Sequence, residues 1–171
     1  EVSVISGDRD LLQLADTHIK IRIPKTNRNG TEVKDYYPED VKREYQVTPL
    51  EFIDVKALMG DASDNIPGVP SIGEKTATSL IVAYGSIENA HAHLEEIRPP
   101  RARKALEEHY DMAVMSKELA TICLDCPIEF SYEDAKVENL YTPAAYQYMK
   151  RLGFKSFLSR FDAQKTGGQS V

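Results

Sequence analysis

The sequence predicts a small α/β unit followed by a mainly α-helical region. A β-branched run, Val2–Ile5, precedes a polar loop and a short helical run, which is the chain order of an α/β unit. From Pro38 onward, apolar residues recur at helical spacing between capping signals. A Gly- and Pro-rich hairpin separates two of these helices, so we expect a helix-hairpin-helix unit at about residues 50–84.

The composition is that of a globular chain with net negative charge. Its 171 residues, 42% of them hydrophobic, suit one domain or one domain with an appendage. The formal charge of -6 argues against nucleic-acid binding through overall positive charge, but it leaves room for a local basic site. No apolar run approaches the ~20 residues that cross a bilayer, so we expect no membrane contact. Cys123 and Cys126 form one isolated Cys-x-x-Cys, which predicts reduced thiols; a redox protein is the alternative.

Three strands are predicted near the start of the chain. Val2–Ile5 has the pattern of a buried strand. The run 18–23 alternates as a second strand that ends at Pro24, and an Asn-Gly turn leads to a returning strand over 31–37. Because the chain begins directly on a strand, we expect it to be part of a longer protein.

The helix before the hairpin is predicted to be largely buried. A capping box, Thr48-Pro49-Leu50-Glu51, starts this helix at Pro49. Its apolar stripe consists of Leu50, Ile53, Ala57 and Leu58, widened by Phe52, Val55 and Met59. We therefore expect the helix to position Gly60 and Asp61 at its end.

Two pairs of carboxylates stand at element ends. Asp61 and Asp64 are three residues apart and share a face if they form one helical turn; Asp8 and Asp10 follow the first strand. Taken alone, Asp8 is better explained as a helix cap than as a ligand, and both interpretations stay open. Four such oxygen donors suit Mg²⁺ or Mn²⁺, and a two-metal site of this kind hydrolyses phosphodiesters.

The hairpin that follows is predicted to bind phosphate. Ser71 and Glu74 form a possible second capping box, which starts a helix at Lys75 that ends at Gly85. Backbone amides at Ile72 and Gly73, with Lys75 just inside the helix, can hold a DNA phosphate without reading the base sequence.

Further helices follow the hairpin. Ser86 caps a helix over 87–97, and after Pro99-Pro100 a long helical pattern runs towards Ile122. A last amphipathic helix begins at Thr142-Pro143. The densest basic cluster, which is either a binding surface or a solvated face, comprises Arg98, Arg101, Arg103 and Lys104.

Three ordered runs resemble the 5′-nuclease domain of bacterial DNA polymerase I, of the flap-endonuclease superfamily. They read VISGDRDLLQL at 4–14, ALMGDASDNIPGV at 57–69 and IGEKTA at 72–77. The resemblance implies that residues 1–37 are the C-terminal part of the α/β nuclease core, the last strands of its parallel sheet. It also implies that 38–161 form the helical DNA-binding region and 162–171 a disordered tail or linker.

The resemblance further implies roles for individual residues. The divalent-metal ligands, Mg²⁺ or Mn²⁺ in a two-metal site, are Asp8, Asp10, Asp61 and Asp64. The residues of the hairpin that grips double-stranded DNA, with a K⁺ held by backbone carbonyls, are Val69, Ser71, Ile72, Gly73, Lys75 and Thr76. Ser71 stands where the family pattern usually has Gly.

The implied function is divalent-metal-dependent phosphodiester hydrolysis at DNA 5′ ends and flaps, in the bacterial cytoplasm at the nucleoid. The implied partners are DNA and the remainder of the polymerase chain. Since the family's other acidic ligands do not occur in this chain, we expect duplex binding with little cleavage. A stand-alone 5′-nuclease and a non-catalytic helix-hairpin-helix module remain alternatives. We also expect non-native self-association through the edge of the first strand.

Overall fold

The computed structural model describes residues 1–28, 30–137 and 140–166. Two compact units divide the chain, one from Glu1 to Leu124 and a second that begins at Asp125. Among the helices described, none combines the length and the apolar character that a membrane span requires. The residues with predicted functions all belong to the first unit.

A three-stranded sheet forms the start of the first unit. Its strands are β1 (Val2–Ile5), β2 (Ile19–Asn27) and β3 (Gly30–Tyr36), in that order across the sheet. β1 runs parallel to β2, and β2 runs antiparallel to β3. The three predicted strands are thus confirmed, although only one of the two strand pairs is parallel. Asn29 of the predicted Asn-Gly turn lies outside the described residues.

Two details of the strand prediction are wrong. Pro24 does not end the second strand, because β2 continues through it to Asn27. β1 pairs with β2 only as far as Arg22, so at Pro24 the strand has a single neighbour and can accommodate a residue without an amide hydrogen. β1 is not buried either: Val2 is 50% and Ile5 69% exposed, since β1 is an edge strand.

Helices make up the rest of the first unit. A 3-10 helix, Arg9–Leu14, follows β1, and a second, Leu94–Glu96, follows α4. The α-helices are α1 (Pro38–Tyr45), α2 (Glu51–Met59), α3 (Glu74–Tyr84), α4 (Ile87–Ala92), α5 (Pro100–Glu108) and α6 (Tyr110–Ala120). The predicted single helix towards Ile122 is therefore two helices separated at His109, and the helix predicted over 87–97 is shorter.

Helix α2 is the buried centre of this unit. The predicted capping box is present: Thr48 N donates to Glu51 Oε2 at 2.7 Å, and Glu51 N donates to Thr48 Oγ1 at 3.3 Å. Such a cap stabilises a helix by about 1 kcal/mol. Phe52 and Leu58 are buried as predicted, but Leu50 is 71% exposed because it lies before the helix proper.

Polar contacts fix the elements around α2. Asp54, buried in α2, accepts a hydrogen bond from Ile87 N at 2.9 Å and one from Lys117 Nζ at 2.7 Å, which joins α2 to α4 and α6. The buried Gln13 donates to Ala120 O at 2.9 Å and accepts from Ile122 N at 2.9 Å. These bonds hold the 3-10 helix after β1 against the end of α6, so the segment that carries Asp10 has a fixed place.

The second unit contains α7 (Pro143–Arg151) and α8 (Lys155–Thr166). Thr142 caps α7 as predicted, accepting from Ala145 N at 3.2 Å. Phe161 of α8 is buried against the rings of Tyr141 and Tyr146. The backbone of the predicted tail is helical to Thr166, and its remaining residues, 167–171, lie outside the described residues.

Candidate functional site

A cleft of about 360 Å³ collects the acidic residues singled out in the sequence. Its walls come from the loop and 3-10 helix after β1, from α2, from the loop after α2 and from α3. The polar residues that line it are Asp8, Arg9, Asp10, Lys56, Asp61, Ser63, Asp64, Glu74 and Thr78. Segments that are far apart in the chain thus contribute side chains to one concave surface.

Three of the four predicted carboxylates form a tight cluster. Asp10, Asp61 and Asp64 each have an oxygen within 4.8 Å of the others. Asp61 and Asp64 converge through a short turn, not a helical turn. Asp61 and Ile66 close this turn by exchanging two backbone hydrogen bonds of 2.9 Å, and Asn65 adopts a left-handed conformation with φ of 57°.

Asp8 lines the same cleft, but its carboxylate bonds the backbone. Its Oδ1 accepts a hydrogen bond from Asp10 N at 2.9 Å, so Asp8 caps the 3-10 helix that begins at Arg9. Its carboxylate is exposed and is not a member of the three-carboxylate cluster. Its predicted role as a metal ligand stays a prediction, and the cap interpretation describes the contact that it makes here.

Lys56, which sequence reasoning missed, joins the cluster. Its ammonium group lies 2.6 Å from Asp10 Oδ1 and also forms a short ion pair with Asp61 Oδ2. The side chain is only 7% exposed, and such burial by itself favours the neutral amine. The hydrogen bonds with Asp10 and Asp61 more than offset this effect, so the pKa of Lys56 is raised and the group is a cation.

Asp61 is held in its ionised form. The bond from Lys56 lowers its pKa most, and the hydroxyl and backbone amide of Ser63 lower it further. Ser63 N donates to Asp61 Oδ1 at 2.9 Å, while Oδ2 faces Lys56. Both oxygens of Asp61 therefore accept hydrogen bonds.

The cleft also has apolar lining residues. Phe52, Val55 and Met59 of α2 contribute apolar surface. Burial raises the pKa of Tyr45 to about 12, so its phenol stays protonated. Glu74, at the start of α3, adds a further carboxylate at the rim, a residue that the acidic-pair pattern did not include.

The hairpin after the cluster is built on direct contact between backbones. Gly60 and Gly68 have φ of 73° and 63°. A Cβ placed on Gly68 would lie 2.4 Å from Gly60 N, a distance that real side chains do not reach. Val69 N donates to Leu58 O at 2.7 Å, and Gly68 N donates to the buried Ser116 Oγ at 3.1 Å. The hairpin is thereby fixed to the end of α2 and to α6.

The tip of the hairpin corrects one prediction. Ser71 does not form a capping box with Glu74: the residue that caps α3 is Gly73, and no side chain contributes to this cap. Ser71 has φ of 70°, and Ile72 N donates to Val69 O at 3.1 Å, as in a type II turn with Pro70 at its second position. The left-handed backbone directs the Ser71 hydroxyl to Arg101, which donates to it at 3.0 Å.

The start of α3 presents backbone donors. The first amides of an α-helix have no partner within the helix and attract anions. Gly73 has open space where a side chain would be, and Lys75 is exposed beside it. The side chains of Val69 and Ile72 are buried, so these two predicted DNA-binding residues can contribute only backbone atoms. Thr76 is half-buried in the first turn of α3.

A second cleft of about 590 Å³ lies next to the acidic one and shares Arg9, Tyr45, Glu74 and Thr78 with it. It also includes Lys75. Two cations, Arg9 and Lys75, and two carboxylates, Glu44 and Glu74, therefore line a surface beside the acidic cleft that reaches the start of α3.

The residues of the basic cluster, at the start of α5 and just before it, differ in their contacts. Arg103 pairs with Glu95 at 2.9 Å, and Lys104 pairs with Glu108 at 3.5 Å. Arg98 donates to the carbonyl oxygens of Glu95 and Ile97. Among the described residues, Arg101 alone in this cluster bonds the hairpin, through Ser71.

The donor set suits a hard divalent cation. Carboxylate oxygens are the preferred protein ligands of Mg²⁺ and Mn²⁺, and Asp10, Asp61 and Asp64 offer them from rigid positions. His91 of α4 stacks on Tyr110 and the ring of His93, just after α4, bonds Asn89 O; among the described residues neither joins the carboxylate cluster.

The fold is similar to that of solved 5′-nucleases. A structure of the phage T5 5′-exonuclease with bound divalent zinc ions is 26% identical, with a TM-score of 0.60, over 70% of this chain and 42% of that one. A complex of the bacteriophage T5 flap endonuclease with DNA and metal ions is 25% identical at the same TM-score and coverage. The fold and the carboxylate cluster thus define a protein of the 5′-exonuclease and flap-endonuclease class.

The family itself follows from the sequence. Residues 47–142, more than half of the chain, match the family model described as 5′-3′ exonuclease, C-terminal SAM fold, and the chain belongs to this family. DNA polymerase I of Bacillus caldotenax is 44% identical over 163 residues, which are 95% of this chain and 18% of that protein. The chain therefore spans about a fifth of the length of such relatives.

Proposed function

We propose that this chain supplies part of the metal centre, and the duplex-binding hairpin, of a structure-specific 5′-nuclease that hydrolyses phosphodiesters at DNA 5′ ends and flaps. The observation that carries the proposal is the convergence of Asp10 with Asp61 and Asp64, within 4.8 Å, from two segments about 50 residues apart. Membership of the 5′-3′ exonuclease family supports it.

Mg²⁺ or Mn²⁺ is the proposed cofactor, in a two-metal site of which this chain holds one part. Asp10, Asp61 and Asp64 would hold the cation, and Asp8 at the rim of the same cleft would be an outer member of the set. Bound divalent cations activate water and stabilise the leaving oxygen in phosphodiester hydrolysis. The apolar wall formed by Phe52, Val55 and Met59 would limit access of solvent from one side.

The proposed DNA grip is a helix-hairpin-helix of the helix-three-turn-helix type, formed by α2, the hairpin and α3. Amides at Gly73 and the first turn of α3 would bind a backbone phosphate, with Lys75 and Thr76 beside it. Backbone carbonyls between Val69 and Gly73 would hold a K⁺. Arg9 and Lys75 would carry the strand along the second cleft towards the carboxylates.

Cleavage by the 171-residue chain alone is expected to be slow or absent, because three or four carboxylates make up only part of the proposed two-metal site. Isothermal titration with Mn²⁺ tests the metal centre: Asp61→Asn is expected to lower the affinity at least tenfold, and Asp111→Asn, an exposed control in α6, to leave it unchanged. Rapid cleavage of a 5′-flap substrate that Asp61→Ala abolishes would contradict the expected low activity.

A non-catalytic helix-hairpin-helix module is the second candidate. The observation that favours it is that Lys56 and the cap at Asp8 give three of the four carboxylates structural partners. In that case, Asp8→Asn and Asp64→Asn would both leave the Mn²⁺ affinity unchanged. Loss of affinity in either variant favours the nuclease.

The remaining proposals concern partners and location. DNA, the remainder of a longer polymerase chain and a cytoplasmic location at the nucleoid follow from the nuclease proposal. The exposed edge of β1 is proposed to pair with a second copy when the chain is isolated. Light scattering over a range of concentrations tests this, and a mass that stays monomeric throughout would contradict it.

A further inference from the structure

Lys56 occupies the position in the cleft where a metal-binding site needs open carboxylate oxygens. It belongs to the last turns of α2, and its side chain is 7% exposed. Its ammonium bonds Asp10 from the segment after β1 and Asp61 from the hairpin. A lysine at the centre of a cluster of carboxylates neutralises part of the charge that would attract a divalent cation.

The contacts of Asp61 limit where a cation can bind. One oxygen faces Lys56, and the other accepts two hydrogen bonds from Ser63. Asp10 likewise uses an oxygen for Lys56, at 2.6 Å. A cation that binds Asp61 at Oδ2 competes with Lys56, and one that binds at Oδ1 competes with the two donors of Ser63. Displacement of Lys56 also moves a positive charge away from the incoming cation. Loss of the hydrogen bonds from Ser63 has no such effect, because Ser63 is uncharged.

We propose that Lys56 is an internal counter-cation, which holds Asp10 and Asp61 together until a divalent cation displaces it. It is a positioning residue, since it acts through the two carboxylates. This inference rests on the proposed metal centre and adds the group that regulates its affinity. Lys56 keeps the carboxylates from separating, and it lowers the affinity for metal by competing for the same oxygens.

Mn²⁺ binding by the 171-residue chain tests this role, measured by isothermal titration. Lys56→Met removes the charge and keeps the length of the side chain, while Lys56→Arg keeps the charge as the matched control. Lys56→Gln is a second neutral variant that retains a hydrogen-bond donor, in case Lys56→Met does not fold. We expect the neutral variants to bind Mn²⁺ at least tenfold more tightly than the unmodified chain, and Lys56→Arg not to do so.

Thermal unfolding gives a second measurement. Without metal, Lys56→Met is expected to unfold at a lower temperature, because Asp10 and Asp61 repel each other. The rise in Tm on adding Mn²⁺ is expected to be larger in Lys56→Met than in the unmodified chain. A lysine with a packing role alone would lower both melting temperatures equally.

Two other results would overturn the inference, and they are distinguishable. If folded Lys56→Met and Lys56→Gln bind Mn²⁺ no more tightly than the unmodified chain, while Asp61→Asn loses binding, the metal centre stands and Lys56 does not compete with metal. If the unmodified chain, Asp61→Asn and the Lys56 variants all bind equally, the metal centre itself fails, and the role of Lys56 fails with it.

Discussion

The acidic cleft and the hairpin lie side by side but are built by different means. In the cleft, side chains from distant segments are held by charge, with Lys56 between Asp10 and Asp61. In the hairpin, the backbone is shaped by Gly60, Gly68 and a turn at Ser71, whose hydroxyl accepts a hydrogen bond from Arg101 of α5.

The functions proposed for these two regions have opposite electrostatic needs. A site for cations requires concentrated negative charge, whereas a grip on phosphate requires donors and positive charge. Building the grip from backbone amides, which carry no net charge, lets it stand next to carboxylates. The overall charge of -6 is thus compatible with local DNA binding.

The largest effect is expected from Gly68→Ala. The added Cβ would collide with backbone atoms of Gly60 at 2.4 and 2.7 Å, where no flexible side chain can yield. We expect a loss of about 3 kcal/mol or more in the free energy of unfolding, measured in urea. Gly85→Ala is the control: its φ is also positive, at 79°, but nothing lies within 4 Å, so about 1 kcal/mol is expected. Equal losses would mean that φ, and not the backbone contact, matters.

The next effect separates the members of the acidic cleft. Asp10→Asn removes a charge from the cluster and is expected to weaken Mn²⁺ binding at least tenfold. Asp8→Asn keeps a side chain that can cap the 3-10 helix, so it isolates the contribution of the Asp8 charge. We expect its loss of Mn²⁺ affinity to be at least fivefold smaller than that in Asp10→Asn. Isothermal titration measures both, and a larger loss in Asp8→Asn would reverse the order given by the geometry.

A smaller effect is expected at the boundary between the hairpin and α5. Arg101→Ala should weaken duplex binding about three- to tenfold and lower the slope of log affinity against log salt by about 1, the value for one lost phosphate contact. Arg103→Ala, on the same helix but paired with Glu95, is the control and should change neither quantity. Fluorescence anisotropy at several salt concentrations gives both quantities, and unchanged binding in Arg101→Ala as well as in Arg103→Ala would assign both residues to a solvated face.

The smallest effect is expected from Ser71→Gly. Glycine adopts φ of 70° without strain, so relief of strain should raise the free energy of unfolding by up to about 1 kcal/mol. Loss of the hydrogen bond from Arg101 to the Ser71 hydroxyl should offset part of this gain. Urea denaturation of Ser71→Gly, with and without Arg101→Ala, separates the two contributions. A loss of stability in both backgrounds would show that the hydroxyl has a role beyond its bond to Arg101.

Local signals explain why much of this site could be predicted from the sequence. The Thr48 and Glu51 capping box, the end of α3 at Gly85 and the hairpin after Gly60 depend on neighbouring residues. Each carboxylate pair was predicted from an element end, and the family resemblance implied that the two pairs share one site. The ion pair between Lys56 and Asp10 could not be predicted. In the sequence, Lys56 is an ordinary polar residue of an amphipathic helix, and only the fold brings Asp10 next to it.

The errors have the same origin. Ser71 matched a capping-box pattern, but the turn after Pro70 sets a left-handed backbone that directs its hydroxyl to Arg101, 30 residues away in the chain. The pattern of Val2–Ile5 predicts a buried strand, and only the sheet order shows that it lies at an edge. Periodicity reports which residues can be buried, and the neighbours in the fold decide which of them are.

The contact between Gly60 and Gly68 bears on where a bound DNA strand would lie relative to the carboxylates. Because the two backbones touch without an intervening side chain, the loop that carries Asp61 and Asp64 is closed directly against the start of the hairpin. A strand gripped at the hairpin would present the same phosphodiester to the carboxylates each time. In the proposed complex, the two glycines would therefore help to set which phosphodiester reaches the carboxylates, without contact to any base.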